Sequence, residues 1–349
     1  MTNTDQHLIK IGSTIKQALE KLNDLGNYLT LFVTDDSGVL RGTITDGDIR
    51  RAMLRGVQIA DVVDSVMNLS FKSLRNDNYS IQQIKDFREK LIKIIPVIDA
   101  DGRILRLVNL ERIRTILPFD SVIMAGGEGR RLRPLTDHTP KPLLKVGGKP
   151  IIEYNVDRLA EFGVENCYIT IKYLGEQLRD YFKDGSEKEM HIKYVEENSD
   201  PLGTIGSVSL INDFKHDTVL VMNSDILTNI DFEDFFQEFV KSNADMAVAT
   251  VPYQVKIPYA VLETEDSRII GFKEKPTYTY YSNGGIYLIK RKALEIIPKG
   301  QFFNATDLMD YLISQNKSVI TYPMFCYWLD IGKHEDFKKA QEDIQHIKF

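Results

Sequence analysis

Cysteine is nearly absent from this sequence: Cys167 and Cys326 are the only two in 349 residues. They form no zinc-ligand spacing and no disulfide framework, which excludes a stapled secreted scaffold and fits a reducing, cytoplasmic compartment. Long apolar runs are also missing. No stretch approaches the ~20 residues of a membrane-spanning helix. The segment from Met1 to Lys10 is polar, without the apolar centre of a signal peptide. A membrane partner is therefore not expected. Nor is there an excess of positive charge. Against 44 Lys and Arg stand 50 Asp and Glu, a formal net charge of -6. Such a chain is a poor bulk polyanion binder, so nucleic acid is not expected as a partner. A phosphate ligand must instead meet a local cluster of cations and amides.

What the chain does contain is 43% apolar and 27% charged residues, the balance of a soluble globular protein. Its length predicts two domains. Ser13 to Leu25 reads as an amphipathic helix with Ile15, Leu19 and Leu22 on one face and Ser13 or Thr14 as its cap. Tyr28 to Val33 and Val39 to Ile44 read as strands around the turn Asp35-Asp36-Ser37-Gly38, and Asp46 to about Leu54 as a helix. The order recurs: helix Asn78 to Leu91, strand Lys93 to Ile98, turn Asp99-Ala100-Asp101-Gly102, strand Arg103 to Val108, short helix Leu110 to Ile116. An internal repeat is expected, about 1–60 and 61–117. Leu117 to Asp120 reads as a linker.

From there to the end, 118–349, strands and helices alternate: Val122 to Ala125, helix Ile151 to Phe162, Cys167 to Ile171, helix Leu174 to Phe182, His191 to Val195, helix Ile205 to Phe214, Thr218 to Met222. That order predicts an α/β domain with a mostly parallel sheet. After Asp245 the strands crowd together, suggesting an antiparallel extension. A helix from about His334 to Ile344 closes the domain.

The densest chemistry lies in the run from Val122 to Thr136, followed by Pro140-Lys141-Pro142. A strand runs into a loop containing Gly126, Gly127 and Gly129, where missing side chains let backbone amides approach a triphosphate. Arg130, Arg131 and Arg133 stand ready to neutralise it. Lys141 is stiffened between two prolines. The loop lacks the Gly-Lys-Ser/Thr ending of a P-loop, and Leu132 stands where a dinucleotide fingerprint needs a small residue.

Gly126 to Pro142 resembles the signature of the sugar-phosphate nucleotidyltransferases, the pyrophosphorylases that make nucleotide sugars. The resemblance runs from about Ser121 to Ile347 and implies a Rossmann-like α/β sheet. It implies that Ala125, Gly126, Gly127, Gly129, Arg131 and Lys141 hold the nucleotide, with Arg131, Lys141 and Lys275 catalytic. Asp225, at the end of an apolar strand, and Asp330, in Trp328-Leu-Asp-Ile-Gly332, are implied ligands of Mg²⁺. Either alone would read as a turn or cap residue. Glu274-Lys275-Pro276 resembles the family's sugar-phosphate motif, and Asn283-Gly284-Gly285 the strand closing that pocket. Ala260 stands where the family usually has Gly. Glu196, Gly203 and Thr204 are implied to meet the base. A carboxylate suits the two adjacent donors of guanine, so Glu196 favours GTP, with UTP or dTTP as the alternative.

The N-terminal segment resembles a tandem pair of cystathionine β-synthase (CBS) domains, of α+β type. In Gly42 to Arg50 the resemblance implies an adenine-nucleotide site with Thr45 at the phosphate and Asp48 at the ribose. Asn109 and Arg112 occupy the matching positions of the second repeat, so at most one nucleotide is expected. Such pairs often bury a face against their own copy, so a homo-oligomer is expected. The reading is a transferase using GTP and a sugar 1-phosphate. The rival is a regulatory subunit that has lost catalysis, but that would predict damage at Arg131, Lys141, Asp225, Lys275 or Asp330.

Overall fold

The computed structural model describes residues 4–26, 29–76, 79–197 and 201–347. The chain divides into two compact units: Met1–Ile116 with Glu161–Gly163, and Leu117–Ala160 with the remainder from Val164.

The first unit is built twice. Strands β1 (Leu8–Lys10), β2 (Thr30–Thr34) and β3 (Leu40–Thr45), with helices α1 (Ile15–Asp24) and α2 (Asp46–Met53), form one half. Strands β4 (Leu74–Arg75), β5 (Ile94–Ile98) and β6 (Ile104–Asn109), with α3 (Ile81–Glu89), form the other. Each three-stranded sheet pairs its first two strands parallel and its last two antiparallel. The helix starts follow from capping chemistry. Thr14 with Gln17, Thr45 with Asp48 and Ser80 with Gln83 each close a reciprocal capping box. Of the two expected element starts at Tyr28 and Asn78, both lie outside the described residues.

The two halves meet through their matching turns. Leu40 donates its N–H to the Gly102 carbonyl at 3.0 Å, and Val39 bridges Arg103. Beneath them Phe32, Leu40, Ile94 and Leu107 form one buried cluster drawn from both repeats. The helix expected from Leu110 to Ile116 does not form; a turn at 110–112 gives way to irregular chain. Asn109 caps it, accepting from the Glu111 N–H at 2.9 Å. The position that would close the box is Arg112, which has no acceptor to offer.

In the second unit β7 (Asp120–Met124) starts earlier than expected, so Leu117 to Asp120 is no linker. Leu117 and Phe119 are buried, and the Asp120 carboxylate accepts the backbone N–H groups of Lys215 and His216 at 2.6 and 2.9 Å. The hairpin β8 (Lys145–Val146) and β9 (Lys149–Pro150), α4 (Ile151–Glu161), β10 (Asn166–Ile171), α5 (Gly175–Phe182), β11 (His191–Glu196) and β12 (Thr218–Asn223) follow. Next come β13 (Ile226–Thr228), α6 (Phe232–Ser242), β14 (Met246–Lys256), β15 (Val261–Glu265), β16 (Arg268–Lys273), β17 (Thr277–Lys290) and α7 (Arg291–Leu294). The unit ends with α8 (Ala305–Ser314), β18 (Val319–Pro323), β19 (Trp328–Asp330) and α9 (His334–Asp343). Seven strands share one sheet in the order β11-β10-β7-β12-β17-β14-β18. Only β17 runs against its neighbours; the other pairs are parallel. The helix expected over Ile205 to Phe214 shrinks to one 3₁₀ turn, Gly206–Leu210. Gly206 is pressed against neighbouring backbone there, where an added Cβ would lie 2.4 Å from the Gln301 carbonyl oxygen.

Helix α6 covers the sheet with Phe232, Phe235, Phe236 and Phe239, all buried, and Asp231 caps it through the N–H groups of Glu233 and Asp234. Phe235 stacks on Tyr322 with ring centroids 4.8 Å apart. Phe235→Ala is expected to destabilise this unit by about 3–5 kcal/mol, the usual cost of emptying a buried aromatic site. Urea unfolding followed by tryptophan fluorescence will report it, because Trp328, the sole tryptophan, lies in the same unit.

Candidate active site

Because β7, β10, β11 and β12 are parallel, their carboxyl ends share one edge of the sheet, where open α/β sheets place ligands. The end of β7 becomes the glycine loop. Ala125 is buried and donates its N–H to the Thr170 carbonyl at 3.0 Å. Gly129 has φ +64°, and a Cβ there would stand 2.9 Å from Cβ of Lys141. The glycine is thus what lets the Pro140-Lys141-Pro142 segment close on the loop. Gly127 faces open space. Arg130 is committed to Glu128 at 2.7 Å, which holds the Glu128 carboxyl below its usual range. Arg131 is exposed, its guanidinium 3.4 Å from where a side chain of Gly332 would begin.

Two carboxylates converge on the same edge. Asp225 follows β12 directly. Beyond it β13 pairs antiparallel with β19, so Ile226 stands opposite Asp330, and Ile331 donates its N–H to the Asp225 carbonyl at 3.0 Å. Lys141, 9% exposed, forms an ion pair with the Asp225 carboxylate. Asp330 keeps solvent-accessible surface, yet protein crowds it enough that desolvation lifts its carboxyl above the ordinary value of 3.8. The Asp225 charge adds to the rise, while Lys141 and Arg131 oppose it. The structure therefore brings Arg131, Lys141, Asp225 and Asp330 together.

A bulge in β17 ties this centre to the rest of the sheet. Registry with β14 slips between Ala249 and Thr250, where Gly284 and Gly285 are accommodated. A Cβ on Gly284 would lie 2.6 Å from the Ala249 carbonyl oxygen, and one on Gly285 (φ +69°) 2.6 Å from the Asn223 amide. The Gly284 carbonyl accepts from the Trp328 indole at 2.9 Å, which orients β19 and with it Asp330. Asn283 accepts the Gly285 N–H at 2.9 Å. Ala260, Glu274 and Lys275 are exposed on the ribbon beyond the bulge, with Lys275 at φ +43°. No hydrogen bond or ion pair among the described residues joins Glu274 or Lys275 to the carboxylate pair.

The two glutamates at the end of β11 take different partners. Glu196 pairs with Arg179 at 3.2 Å, and Arg179 in turn covers the Tyr194 ring. Glu197 instead reaches over the glycine loop, its Oε1 3.0 Å from where a Cβ of Gly126 would stand. Strand alternation could have signalled this, since adjacent residues leave β11 toward opposite faces. Gly203 (φ +77°) and Thr204 are held by the start of α8. Thr204 receives the Ala305 N–H at 2.9 Å, and a Cβ on Gly203 would meet the Phe303 carbonyl oxygen at 2.7 Å.

The nucleotidyl transferase family model matches residues 120–347, all of the second unit's sheet and both carboxylates. The chain belongs to the nucleotidyl transferase family. A CBS domain model matches residues 3–55. Among relatives, the bifunctional protein GlmU of Methanocaldococcus jannaschii is 34% identical over 64% of this chain and 54% of its own length. A mannose-1-phosphate guanylyltransferase of Mycobacterium tuberculosis is 30% identical over 64% of each chain. This chain thus spans between half and two thirds of the length of those two relatives. A Bacillus anthracis structure assigned as a glucose-1-phosphate thymidylyltransferase superposes with a TM-score of 0.53 at 25% identity, covering 66% of this chain and 97% of the other.

In this nucleotidyl transferase the CBS-domain residues Thr45 and Asp48 are engaged with each other. The Thr45 hydroxyl donates to Asp48 Oδ2 at 2.6 Å, and Asp48 Oδ1 pairs with Arg51 at 2.7 Å. The resemblance of Gly42 to Arg50 pointed to both residues, but their mutual capping was visible only once α2 was in place.

Because the fold raises the Asp330 pKa, ionising this group costs the native state more than the unfolded chain. That cost is absent well below pH 3.8 and complete above the raised value. Asp330→Asn is therefore expected to melt higher than wild type near neutral pH, with the gain shrinking as pH falls toward 4. Melting curves across that range provide the check; a pH-independent gain would contradict it.

Proposed function

We propose that this nucleotidyl transferase moves a nucleoside monophosphate from a triphosphate, GTP by preference, to a sugar 1-phosphate, releasing pyrophosphate. The observation that carries the reading is the meeting of Lys141, Asp225 and Asp330 beside the Gly126–Gly129 loop. In this reading the sugar phosphate oxygen attacks the α-phosphorus in line, the bond to the pyrophosphate oxygen breaks, and no covalent enzyme intermediate forms. Catalysis is then alignment plus neutralisation of charge. The loop amides receive the phosphates, Arg131 and Lys141 neutralise them, Glu274 accepts hydrogen bonds from the sugar hydroxyls and Lys275 holds the sugar's phosphate.

The carboxylates suit Mg²⁺. Asp225 and Asp330 are hard oxygen donors, and desolvation together with the Asp225 charge already lifts the Asp330 pKa. Among the described residues no third acidic, His or Cys side chain joins them. Two carboxylates completed by substrate phosphates and water is the arrangement this ion favours over an all-protein cage. Bound there, the ion would supply Lewis-acid polarisation of the phosphates. Lys141 meanwhile has a phosphate to exchange for its present partner, Asp225.

GTP is supported by a carboxylate beside the glycine loop, Glu197, which suits the paired donors of guanine's Watson–Crick edge, and by the guanylyltransferases among the relatives. A uridylyl- or thymidylyltransferase is the second reading, supported by a uridylyltransferase relative from Synechocystis and by the Bacillus anthracis structure. The N-terminal unit is proposed to take at most one adenine nucleotide, at the first repeat, in exchange for the Thr45–Asp48 contact.

Pyrophosphate release from GTP, UTP, dTTP and ATP against mannose, glucosamine and glucose 1-phosphates tests the whole reading. Turnover with GTP and Mg²⁺ is expected. Release with UTP alone would replace guanine, and no release with any pair would reject the activity. Asp225→Ala and Lys141→Ala are each expected to lower kcat/KM by at least ~10²-fold, as loss of a charge-stabilising group does, while circular dichroism stays unchanged. Glu197→Gln is expected to narrow the preference for GTP over UTP, and Glu196→Gln to leave it alone.

A further inference from the structure

The ladder that sets the two carboxylates side by side is short. Strands β13 and β19 have three residues each and share no strand with the seven-stranded sheet. A two-stranded pair of that size is marginal by itself, so its place must be set from outside. Ile331 closes one rung by donating to the Asp225 carbonyl. Backbone groups alternate along an antiparallel pair, so those of Ile226 turn outward, away from β19. Ile226 is 1% exposed, and its carbonyl needs a donor from the protein. Asn155 of α4 supplies it: Nδ2 reaches the Ile226 carbonyl oxygen at 2.8 Å.

Arg158, three residues on and on the same face of α4, grips the other end of β13. Its Nε donates to the Ile230 carbonyl at 3.0 Å, and its Nη2 to the carbonyls of Asn229 and Ile230 at 2.8 and 2.7 Å. The turn held in this way is tied in turn to β19. The Thr228 hydroxyl donates to the Tyr327 carbonyl at 2.8 Å, and Tyr327 N–H donates to Asn229 Oδ1 at 2.9 Å. From the same helix, Ile151 packs in one buried cluster with Leu227 and Ile331. The helix is a firm base, because Ile151, Ile152, Val156 and Leu159 have no exposed surface. Asn155 and Arg158 are themselves buried. Apolar side chains would satisfy burial equally well; a donor aimed at a carbonyl also fixes distance and direction.

We propose that Asn155 and Arg158 are positioning residues for the cation site: through the carbonyls of Ile226, Asn229 and Ile230 they fix β13, and with it the separation of the Asp225 and Asp330 carboxylates. The inference rests on the Mg²⁺ reading above. That ion demands near-octahedral geometry, and partners standing behind the ligands commonly set metal affinity by ~10–100-fold. Both residues act through the backbone of β13 and its turn.

Mn²⁺ titrated into the full chain without nucleotide, followed by the fall of the free-ion EPR signal, reads the site without turnover. Asn155→Ala is expected to weaken Mn²⁺ binding about tenfold. Val156→Ala thins the packing of the same helix but removes no donor; it is expected to lower the melting temperature and leave Mn²⁺ affinity unchanged. Hydrogen exchange at the Ile331 amide is expected to quicken about tenfold or more in Asn155→Ala, with the amides of β7 and β12 unchanged. In turnover assays Asn155→Ala is expected to raise the Mg²⁺ concentration for half-maximal rate about tenfold, with kcat recovering at saturating Mg²⁺. Unchanged Mn²⁺ affinity in folded Asn155→Ala, or an equal loss in Val156→Ala, overturns the proposal. Arg158→Lys keeps the charge but loses the fork that spans two carbonyls, and binding about threefold weaker is expected. If Asn155→Ala does not fold, unchanged affinity in Arg158→Lys overturns the proposal in its place. A wild-type protein that binds no Mn²⁺, with the exchange contrast intact, would fail the metal reading alone and leave the anchoring of β13 standing.

Discussion

The short antiparallel contact between β13 and β19 is the constraint on which the site depends. It sets Asp330 across from Ile226 and thereby beside Asp225, joining two acidic residues that lie far apart in the chain. Desolvation and the neighbouring Asp225 charge raise the Asp330 carboxyl, and the fold accepts that cost. Lys141 limits it from the Pro140–Pro142 segment, and its position depends in turn on Gly129 having no side chain. The indole of Trp328, anchored on the Gly284 carbonyl, keeps β19 from sliding. Destabilised groups held by rigid elements are the usual mark of a site built for a ligand that relieves them.

The sheet explains why one edge holds so much chemistry. Four parallel strands end together, so the glycine loop, Asp225 and Glu197 emerge side by side although they belong to separate β–α units. The antiparallel β17 then crosses this edge, and its bulge lets the chain continue past the sheet as a ribbon. One strand thus contributes both to the core, through Ile286 to Ile289, and to the exposed residues proposed to meet the sugar. The sheet-borne half is fixed by burial; the ribbon-borne half has no such anchor within its own unit.

The N-terminal unit obeys the same logic at smaller scale. Each three-stranded sheet is too small to bury both faces, and the shared cluster of Phe32, Leu40, Ile94 and Leu107 makes two weak halves into one unit. The repeats have nonetheless diverged where the last helix begins. Asp48 closes a capping box and α2 forms; Arg112 cannot, and the chain turns instead.

Local chemistry by itself determined much of this protein. Strand and helix order, the repeat, the cap residues and the glycine loop with its cations all follow from periodicity, propensity and hydrogen-bonding capacity, which act over a few residues. The resemblance carried by Gly126 to Pro142 then pointed to Asp225, Asp330 and Lys141. Only the tertiary structure decided which of two adjacent glutamates faces the loop, because that depends on the pleat of β11 and the competing pull of Arg179. It also decided that Leu117 to Asp120 is core, since the buried Asp120 finds its donors at Lys215 and His216, nearly a hundred residues away. The stretch read as a helix from Ile205 to Phe214 is one 3₁₀ turn at Gly206–Leu210, where Gly206 packs against the backbone of the distant Gln301. Such outcomes turn on contacts between distant segments, to which no local pattern of residues responds.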